Sequence, residues 1–421
     1  MAEHAPQVSK ELVVCEAKDA EWLHEVRCED CLSCTLETKV MRPDLERFVA
    51  GVLEHYKASQ AEAEITARVL VSADLRGIAS HGVARLGRYV RGLKAGYIVP
   101  GVAFDVQEPV PAIAVIDARN GIGQVVSERA MQLAIDKARA NGLGAVSVRN
   151  SNHFGIAGYY VQMAIDAGMI GLCVTNAAPL VVPTNGATAM LGTNPIAFGA
   201  PGGPGLDFLL DMATSVVPRG KLEVYDRNRK QMPAGWAVDE HGYDSKNPGL
   251  VLANLLKRAG GGILPLGGRG EQFSGYKGYG LALMVDVLAG VLTGAGFGPD
   301  VDNMKRTPKP GETVAPRVGH FFVAIDVARF MPLAEFRSRL FELLTILKGS
   351  PKALDGAEIF VHGEKERLRS RLHEQFGIPL AENVLDALKK IAAECGRPGP
   401  LTVAERRRRH VLDALEGHHV S

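Results

Sequence analysis

Residues 112–117 (Ala-Ile-Ala-Val-Ile-Asp), 145–148 (Ala-Val-Ser-Val) and 169–175 (Met-Ile-Gly-Leu-Cys-Val-Thr) are short apolar runs, each separated from the next by a helical pattern. The first such pattern, Val125 to Ala140, closes on Asn141-Gly142; the second, Ile156 to Ala167, closes on Gly168. Strands of this length alternating with glycine-terminated helices predict an α/β core over residues 111–330. Further along, His320 to Asp326 alternates like another strand, Tyr279 to Leu292 reads as a buried helix, and the polar stretch from Asp211 to Pro248 reads as loops with short strands. On the N-terminal side, Phe48, Val52, Leu53, Ile65, Val69 and Leu70 predict two short helices in a helical segment spanning 41–110. Beyond the core, Pro332 to Lys348 and Pro379 to Cys395 predict amphipathic helices in a segment spanning 331–396, with Gly349 and Gly396 at their ends. Residues 1–40 read as a loosely ordered extension, with Met41 as an alternative natural start, and 397–421 as a basic tail whose Arg406 to Arg409 are solvated.

The composition narrows the function classes. With 48 Lys and Arg against 47 Asp and Glu in 421 residues, the chain has no global basic field for nucleic acid or acidic lipid. The longest apolar stretch, Gly280 to Phe297, is interrupted by Asp286 and glycines, so a buried helix is expected and a membrane span is not. The first residues lack the apolar core of a secretory signal, and a cytoplasmic location is the expectation. Cys28, Cys31 and Cys34 form a C-x2-C-x2-C cluster, while Cys15, Cys173 and Cys395 are scattered. With His24 as a fourth ligand the cluster has zinc-type donors, but no second pair has finger spacing, and no metal is expected.

Chemistry is expected at residues 74–82, Asp-Leu-Arg-Gly-Ile-Ala-Ser-His-Gly. A helix from His81 to Leu93 would put Val83, Leu86, Val90 and Leu93 on one stripe and His81, Arg85 and Arg88 on the other. His81 is then an acid/base candidate, and Arg85 offers a planar fork that matches a carboxylate. Asp211, between the apolar Phe208-Leu209-Leu210 and Met212-Ala213-Thr214, is a buried carboxylate needing a partner, and His81 is the partner expected.

A dinucleotide-binding G-x-G-x-x-G is missing: Gly121-Ile122-Gly123 lacks the third glycine, and Gly275-Tyr276-Lys277-Gly278 lacks P-loop spacing. Three other glycine-bearing segments are ligand candidates. Asn152-His153-Phe154-Gly155 lies between a strand and a helix, where a helix N-terminus suits a pyrophosphate. Leu191-Gly192-Thr193-Asn194-Pro195 offers a hydroxyl and an amide in a compact turn, and Ser274 to Gly280 adds the cation Lys277 before a helix.

Taken in order, Asp-Leu-Arg-Gly-Ile-Ala-Ser-His-Gly (74–82), Ser-Asn-His-Phe-Gly (151–155), Leu-Gly-Thr-Asn-Pro-Ile-Ala (191–197), Leu-Asp-Met-Ala-Thr-Ser (210–215) and Gly-Tyr-Lys-Gly-Tyr-Gly-Leu-Ala-Leu (275–283) resemble the malate/L-lactate dehydrogenase family of the non-Rossmann type, over residues 41 to 396. That family includes sulfolactate, ureidoglycolate and diketogulonate dehydrogenases and cyclic-imine reductases. The resemblance implies a non-Rossmann, NAD(P)-binding mixed-sheet fold with a helical part built from the N- and C-terminal segments, and a homodimer. It implies NAD or NADP as cofactor, NAD being the expectation, and hydride transfer to or from a small 2-hydroxy/2-oxo acid. On this resemblance His81 is the proton donor, Ser80 and Asp211 form its relay, and Arg85 and Thr193 contact substrate. Cofactor contacts fall at His153, Phe154, Gly155, Ile156 and Ala157, at Thr175 and Asn176, and at Lys277 and Gly278. Ser274 departs from the pattern, where a glycine or another small residue is expected. The rival readings are a cyclic-imine reductase of the same family and a catalytically silent interaction protein that uses the cysteine cluster and basic tail.

Overall fold

The computed structural model describes residues 38–302, 314–353 and 357–406. Cys15, His24, Cys28, Cys31, Cys34 and the tail from Arg407 onward lie outside the described residues.

The helices before residue 100 form for legible reasons. Helix α1 (Arg42–His55) carries a proline in its first turn, and α2 (Gln60–Leu75) starts on a capping box in which Ser59 and Glu62 satisfy each other's amides. Helix α3 (Leu86–Ala95) ends at Gly96, whose φ of 76° suits a residue without Cβ. Their buried faces share one core with residues from the far end of the chain. Leu45, Val49, Leu70 and Leu86 pack with Ile378, Leu385 and Leu388, and strand β1 (Lys39–Val40) pairs antiparallel with β11 (Ile378–Pro379). The helical unit is therefore assembled from both ends of the chain.

The central sheet has seven strands in the order β2 (Asp105–Val110), β3 (Ile113–Asp117), β4 (Leu143–Ser151), β10 (Val318–Asp326), β5 (Met169–Thr175), β6 (Ile196–Gly203) and β7 (Leu206–Met212). Strands β3 and β4 are parallel, joined by helix α4 (Gly123–Asn141) as a βαβ crossover. The next strand in sequence, β5, does not join β4. Strand β10 sits between them, antiparallel to both, with His320 opposite Val148 on one side and Thr175 on the other. The sheet is thus mixed, as the family resemblance implies.

Both faces of the sheet are covered. Helices α4 and α5 (Ala157–Asp166) pack Val126, Ala130, Ala134 and Tyr160 onto Ile116, Val146 and Phe322. The adjacent Phe321 points the other way, onto Val285 and Ala289 of helix α8 (Gly275–Asp286) and the π-helical turn Val287–Val291 that continues it.

Three elements differ from the sequence expectation. Within the stretch expected to be loops, α6 (Arg219–Arg227) forms around a single fully buried residue, Leu222. Leu222 joins a small core with α7 (Pro248–Lys257), β8 (Ala237–Val238) and β9 (Gly262–Ile263), and one apolar anchor among charged residues leaves no periodic signal. The expected C-terminal helical segment also divides. Helix α9 (Leu333–Lys348) lies against the sheet, with Phe341 packed where Gly203 has no side chain, and only α11 (Glu382–Glu394) joins the terminal helical core. Between them, α10 (Glu364–Phe376) was not foreseen from the sequence; His373 binds the carbonyls of Asp74 and Leu75 at the end of α2, at 3.2 and 2.8 Å.

Candidate active site

After α2 ends at Leu75, the chain turns through Gly77, whose φ is 75°, and the Asp74 carboxylate reaches forward to accept the Val83 amide at 2.7 Å. Gly82 lies directly against this carboxylate: a Cβ there would sit 2.1 Å from Oδ2. The turn bearing Ser80 and His81 is therefore wrapped around one buried acid. Burial pushes the Asp74 carboxyl up to about 7, against the lowering effect of the Val83 hydrogen bond.

This arrangement corrects the helix expected from His81. The helix proper starts at Leu86, after a 3-10 turn at Val83–Arg85, and His81 stands in the bend before it. The reason is that Asp74 takes the Val83 amide while Gly82 adopts a non-helical conformation, with φ −86° and ψ −148°. Val83, Leu86 and Val90 are still buried together, and His81, Arg85 and Arg88 still stay partly exposed. Ser80 Oγ lies 2.8 Å from His81 Nδ1, and Arg85 Nε donates to the Ser80 carbonyl at 2.6 Å.

Across the turn stands His153. Its ring is stacked against that of His81, 5.7 Å between centroids and 19° between planes, and the buried Tyr89 hydroxyl lies 2.6 Å from its Nδ1. Gly123 lets the start of α4 approach this loop, since a Cβ would meet the Asn152 and His153 carbonyls at 2.5 Å. Burial, then the charges of Arg85 and Arg88, lowers the His81 pKa to about 4. Burial and then Arg88 hold His153 well below the usual imidazole range. Both rings are neutral at neutral pH.

A second polar cluster adjoins the first through residues 151–155. His320 contacts Thr175 Oγ1 through Nδ1 at 2.7 Å and Ser151 Oγ through Nε2 at 2.8 Å, and it stacks on Phe154 at 4.5 Å. Burial lowers its pKa to about 3. Asn176 donates to the Gly296 carbonyl at 2.7 Å and accepts from the Gly319 amide at 3.0 Å. Asn194 accepts from the Ala177 amide at 3.2 Å and donates to the Ala282 carbonyl of α8 at 2.9 Å. Asp286 uses Oδ2 to accept the Gly298 amide at 2.8 Å, while its buried Oδ1 has no hydrogen-bond partner among the described residues.

The other expected residues are placed as follows. Thr193 hangs its turn on Thr214 through its carbonyl, which accepts the Thr214 amide at 2.9 Å. Lys277 is exposed, 5.9 Å from the Tyr276 ring centroid, and Gly278 packs where a Cβ would lie 2.2 Å from the Leu266 carbonyl oxygen. Ser274 takes the left-handed conformation, φ 63°, at the start of α8, a backbone position that favours glycine. Asp211 has a different partner from the one expected. Its Oδ2 accepts the Gly158 amide at 2.7 Å, at the N-terminus of α5, and Arg76 is its counter-charge. A helix N-terminus favours an anion, and here the protein supplies its own where a pyrophosphate was expected.

Sequence reasoning missed Asp74, Tyr89, Ser151, His320 and Asp286 as site residues. Asp74 and Ser151 were signalled by opening their motifs, His320 by being a polar residue at the head of an apolar strand, and Asp286 by interrupting the apolar stretch Gly280 to Phe297; Tyr89 carried no local signal. Among the described residues, no group of three or more His, Cys, Asp or Glu side chains is placed to hold a metal ion. No helix among them is long and apolar enough to cross a membrane.

The family model for malate/L-lactate dehydrogenase matches residues 40–389. The chain belongs to the malate/L-lactate dehydrogenase family. Its relatives include a malate dehydrogenase of Pyrococcus abyssi, 46% identical over 361 residues, which cover 86% of this chain and 96% of that protein. An L-sulfolactate dehydrogenase of Methanocaldococcus jannaschii is 39% identical over 358 residues, covering 85% and 97%. Among solved structures, malate dehydrogenase from Pyrococcus horikoshii superposes with a TM-score of 0.77 at 42% identity, covering 86% of this chain and 96% of that one. As a member of this family the chain is a 2-hydroxyacid dehydrogenase of the malate/lactate type and works with a nicotinamide cofactor.

Proposed function

We propose that the chain moves a hydride reversibly between NAD(P) and a small 2-hydroxy/2-oxo acid, with His81 as the proton donor and acceptor. The observation that carries the reading is the Ser80, His81 and Arg85 turn: a hydroxyl 2.8 Å from Nδ1 leaves Nε2 to face a substrate oxygen, three residues after Gly82 comes a guanidinium, and both belong to one rigid bend. Arg85 spends Nε on the Ser80 carbonyl, so its two terminal amino groups remain for a carboxylate.

The cofactor fits the polar cluster beside this turn. The orphaned Asp286 Oδ1 beside Asn176 and Asn194 suits the amide protons of a carboxamide, and His153 to Ala157, Thr175, Asn176, Lys277 and Gly278 are the residues proposed to contact the cofactor. When bound, the nicotinamide supplies the hydride acceptor or donor. In oxidation, neutral His81 takes the hydroxyl proton at Nε2, while Ser80 holds the ring in place. In reduction, His81 returns that proton to the forming hydroxyl. Burial holds the His81 pKa down most, with the charges of Arg85 and Arg88 adding to it; a bound substrate anion offsets those two charges, so substrate binding itself favours the protonated, donating form. Asp211 acts at one remove, by fixing the start of α5 through Gly158. NAD is the cofactor expected over NADP. The exposed apolar residues Leu283, Val287, Val291, Leu292 and Phe297 support a homodimer packed through this face.

The test is absorbance at the reduced-nicotinamide band with NADH and NADPH, using oxaloacetate, pyruvate, sulfopyruvate and a cyclic imino acid, beside His81→Ala. Turnover of a 2-oxo acid that the variant loses is the expected result. Turnover of the imino acid alone would replace this reading with a C=N reductase; binding of neither cofactor would replace it with a silent homologue.

A further inference from the structure

We infer that His373 of α10 is a positioning residue for this reaction, holding the end of α2 from which the bend bearing Ser80, His81 and Arg85 is hung. The inference rests on the reading of His81 and Arg85 given above.

A helix leaves its last carbonyls without partners inside the helix. At the end of α2 most of them are taken up locally: Ser72 accepts from the Arg76 amide at 3.2 Å, Ala73 from the Ile78 amide at 2.8 Å and Asp74 from the Gly77 amide at 3.0 Å. The Leu75 carbonyl has no such local donor. Its partner among the described residues is His373 Nδ1 at 2.8 Å, 298 positions along the chain, and the same nitrogen lies 3.2 Å from the Asp74 carbonyl. Both neighbours are acceptors, so Nδ1 carries the proton and the ring acts as a forked donor.

This contact falls on the residue that carries the site. The Asp74 carboxylate accepts the Val83 amide at 2.7 Å, two residues after His81. On the bend so formed, Ser80 Oγ lies 2.8 Å from His81 Nδ1 and Arg85 Nε lies 2.6 Å from the Ser80 carbonyl. A rotation of the last turn of α2 therefore moves the proton donor and the carboxylate fork together.

Helix α10 has no fully buried residue, so polar contacts dock it. Arg367 donates to the Asp207 carbonyl of β7 at 3.1 Å, and Glu374 pairs with Arg42 of α1 at 2.6 Å. Arg369 lies across Gly77, where a Cβ would come within 2.8 Å of its Cδ. These contacts fix the helix on either side of His373, which makes its ring a strut between α10 and the start of the bend.

The experiment compares the wild type with His373→Leu, His373→Gln, His373→Asn and Arg42→Ala. It uses steady-state kinetics with reduced nicotinamide and whichever 2-oxo acid is turned over fastest, and hydrogen–deuterium exchange of residues 76–90. Leucine fills the space without a donor, glutamine carries its N–H one bond too far, and asparagine puts an N–H where Nδ1 stands. Arg42→Ala breaks the Glu374 tie and reports what merely loosening α10 does. The expected result is a kcat about tenfold lower in His373→Leu and His373→Gln, with an unchanged KM for the nicotinamide and faster exchange in 76–90. His373→Asn restores most of both, and Arg42→Ala keeps kcat within about twofold of the wild type. A wild-type kcat in the leucine and glutamine variants, an asparagine variant as slow as they are, or an equal loss in Arg42→Ala would overturn the assignment of His373 and leave the dehydrogenase reading standing. A wild type that turns over no 2-oxo acid overturns the dehydrogenase reading, and exchange in 76–90 then decides alone whether His373 holds the bend.

Discussion

The Asp74 carboxylate accepts the Val83 amide at 2.7 Å, so the last turn of α2 holds the bend on which His81 stands. Because burial raises its pKa to about 7, the protonated form contributes stability that is fully present below the ordinary carboxyl value of 3.8 and is lost as pH rises through about 7. Asp74→Asn cannot ionise. Its stability relative to the wild type is expected to rise between pH 4 and pH 7, by up to about 1.4 kcal/mol per pH unit. Urea unfolding at pH 5 and pH 8 measures this, and a pH-independent difference would show that Asp74 keeps an ordinary pKa.

Gly278 and Gly280, two residues apart on α8, should respond oppositely to alanine. At Gly278 a Cβ would lie 2.2 Å from the Leu266 carbonyl oxygen, and backbone must move; at Gly280 nothing lies within 4 Å. Gly278→Ala is expected to destabilise by about 1–3 kcal/mol, and Gly280→Ala to stabilise by about 0.5–1 kcal/mol through helix propensity. Thermal unfolding of the two variants checks both signs.

Arg85→Lys should keep the fold but lose the Ser80 carbonyl contact and the two-pronged grip on a carboxylate. A fall in kcat/KM of about 10- to 100-fold is expected. An unchanged value in a substrate-saturation assay, with circular dichroism matching the wild type, would remove Arg85 from the site.

With His81 lowered to about 4 in the ligand-free protein, kcat/KM for oxidation of the hydroxy acid should stay level down to about pH 5 and fall only near pH 4. In the reductive direction the limb in kcat should lie at higher pH than that in kcat/KM, because the bound anion offsets Arg85 and Arg88. Coincident limbs would mean that substrate charge does not reach His81. His81→Ala should lower kcat about 100- to 10,000-fold.

His320 gives a stability readout of opposite sign to Asp74. Its pKa is lowered to about 3, so the stability it contributes as a neutral ring is present above the ordinary value of 6.5 and is lost as pH falls from there toward 3. Between pH 6.5 and pH 4 the wild type should lose up to about 1.4 kcal/mol per pH unit more than His320→Gln. Parallel stability curves would show that the ring titrates normally.

The sequence by itself determined what depends on neighbours along the chain. Strands β3, β4 and β5, the glycine-stopped helices between them, and the contiguous Ser80, His81 and Arg85 group were all legible there, because apolar period, chain-terminating glycines and motif spacing are local properties. Only the tertiary structure decided which distant groups meet. It inserted β10 between β4 and β5, gave Asp211 to Gly158 instead of His81, stacked His153 on His81, and joined Arg88 to Asp302 across 214 positions. A buried polar group must find a partner wherever the packed chain presents one, and hydrogen bonds over such separations leave no periodic mark on the residues that make them.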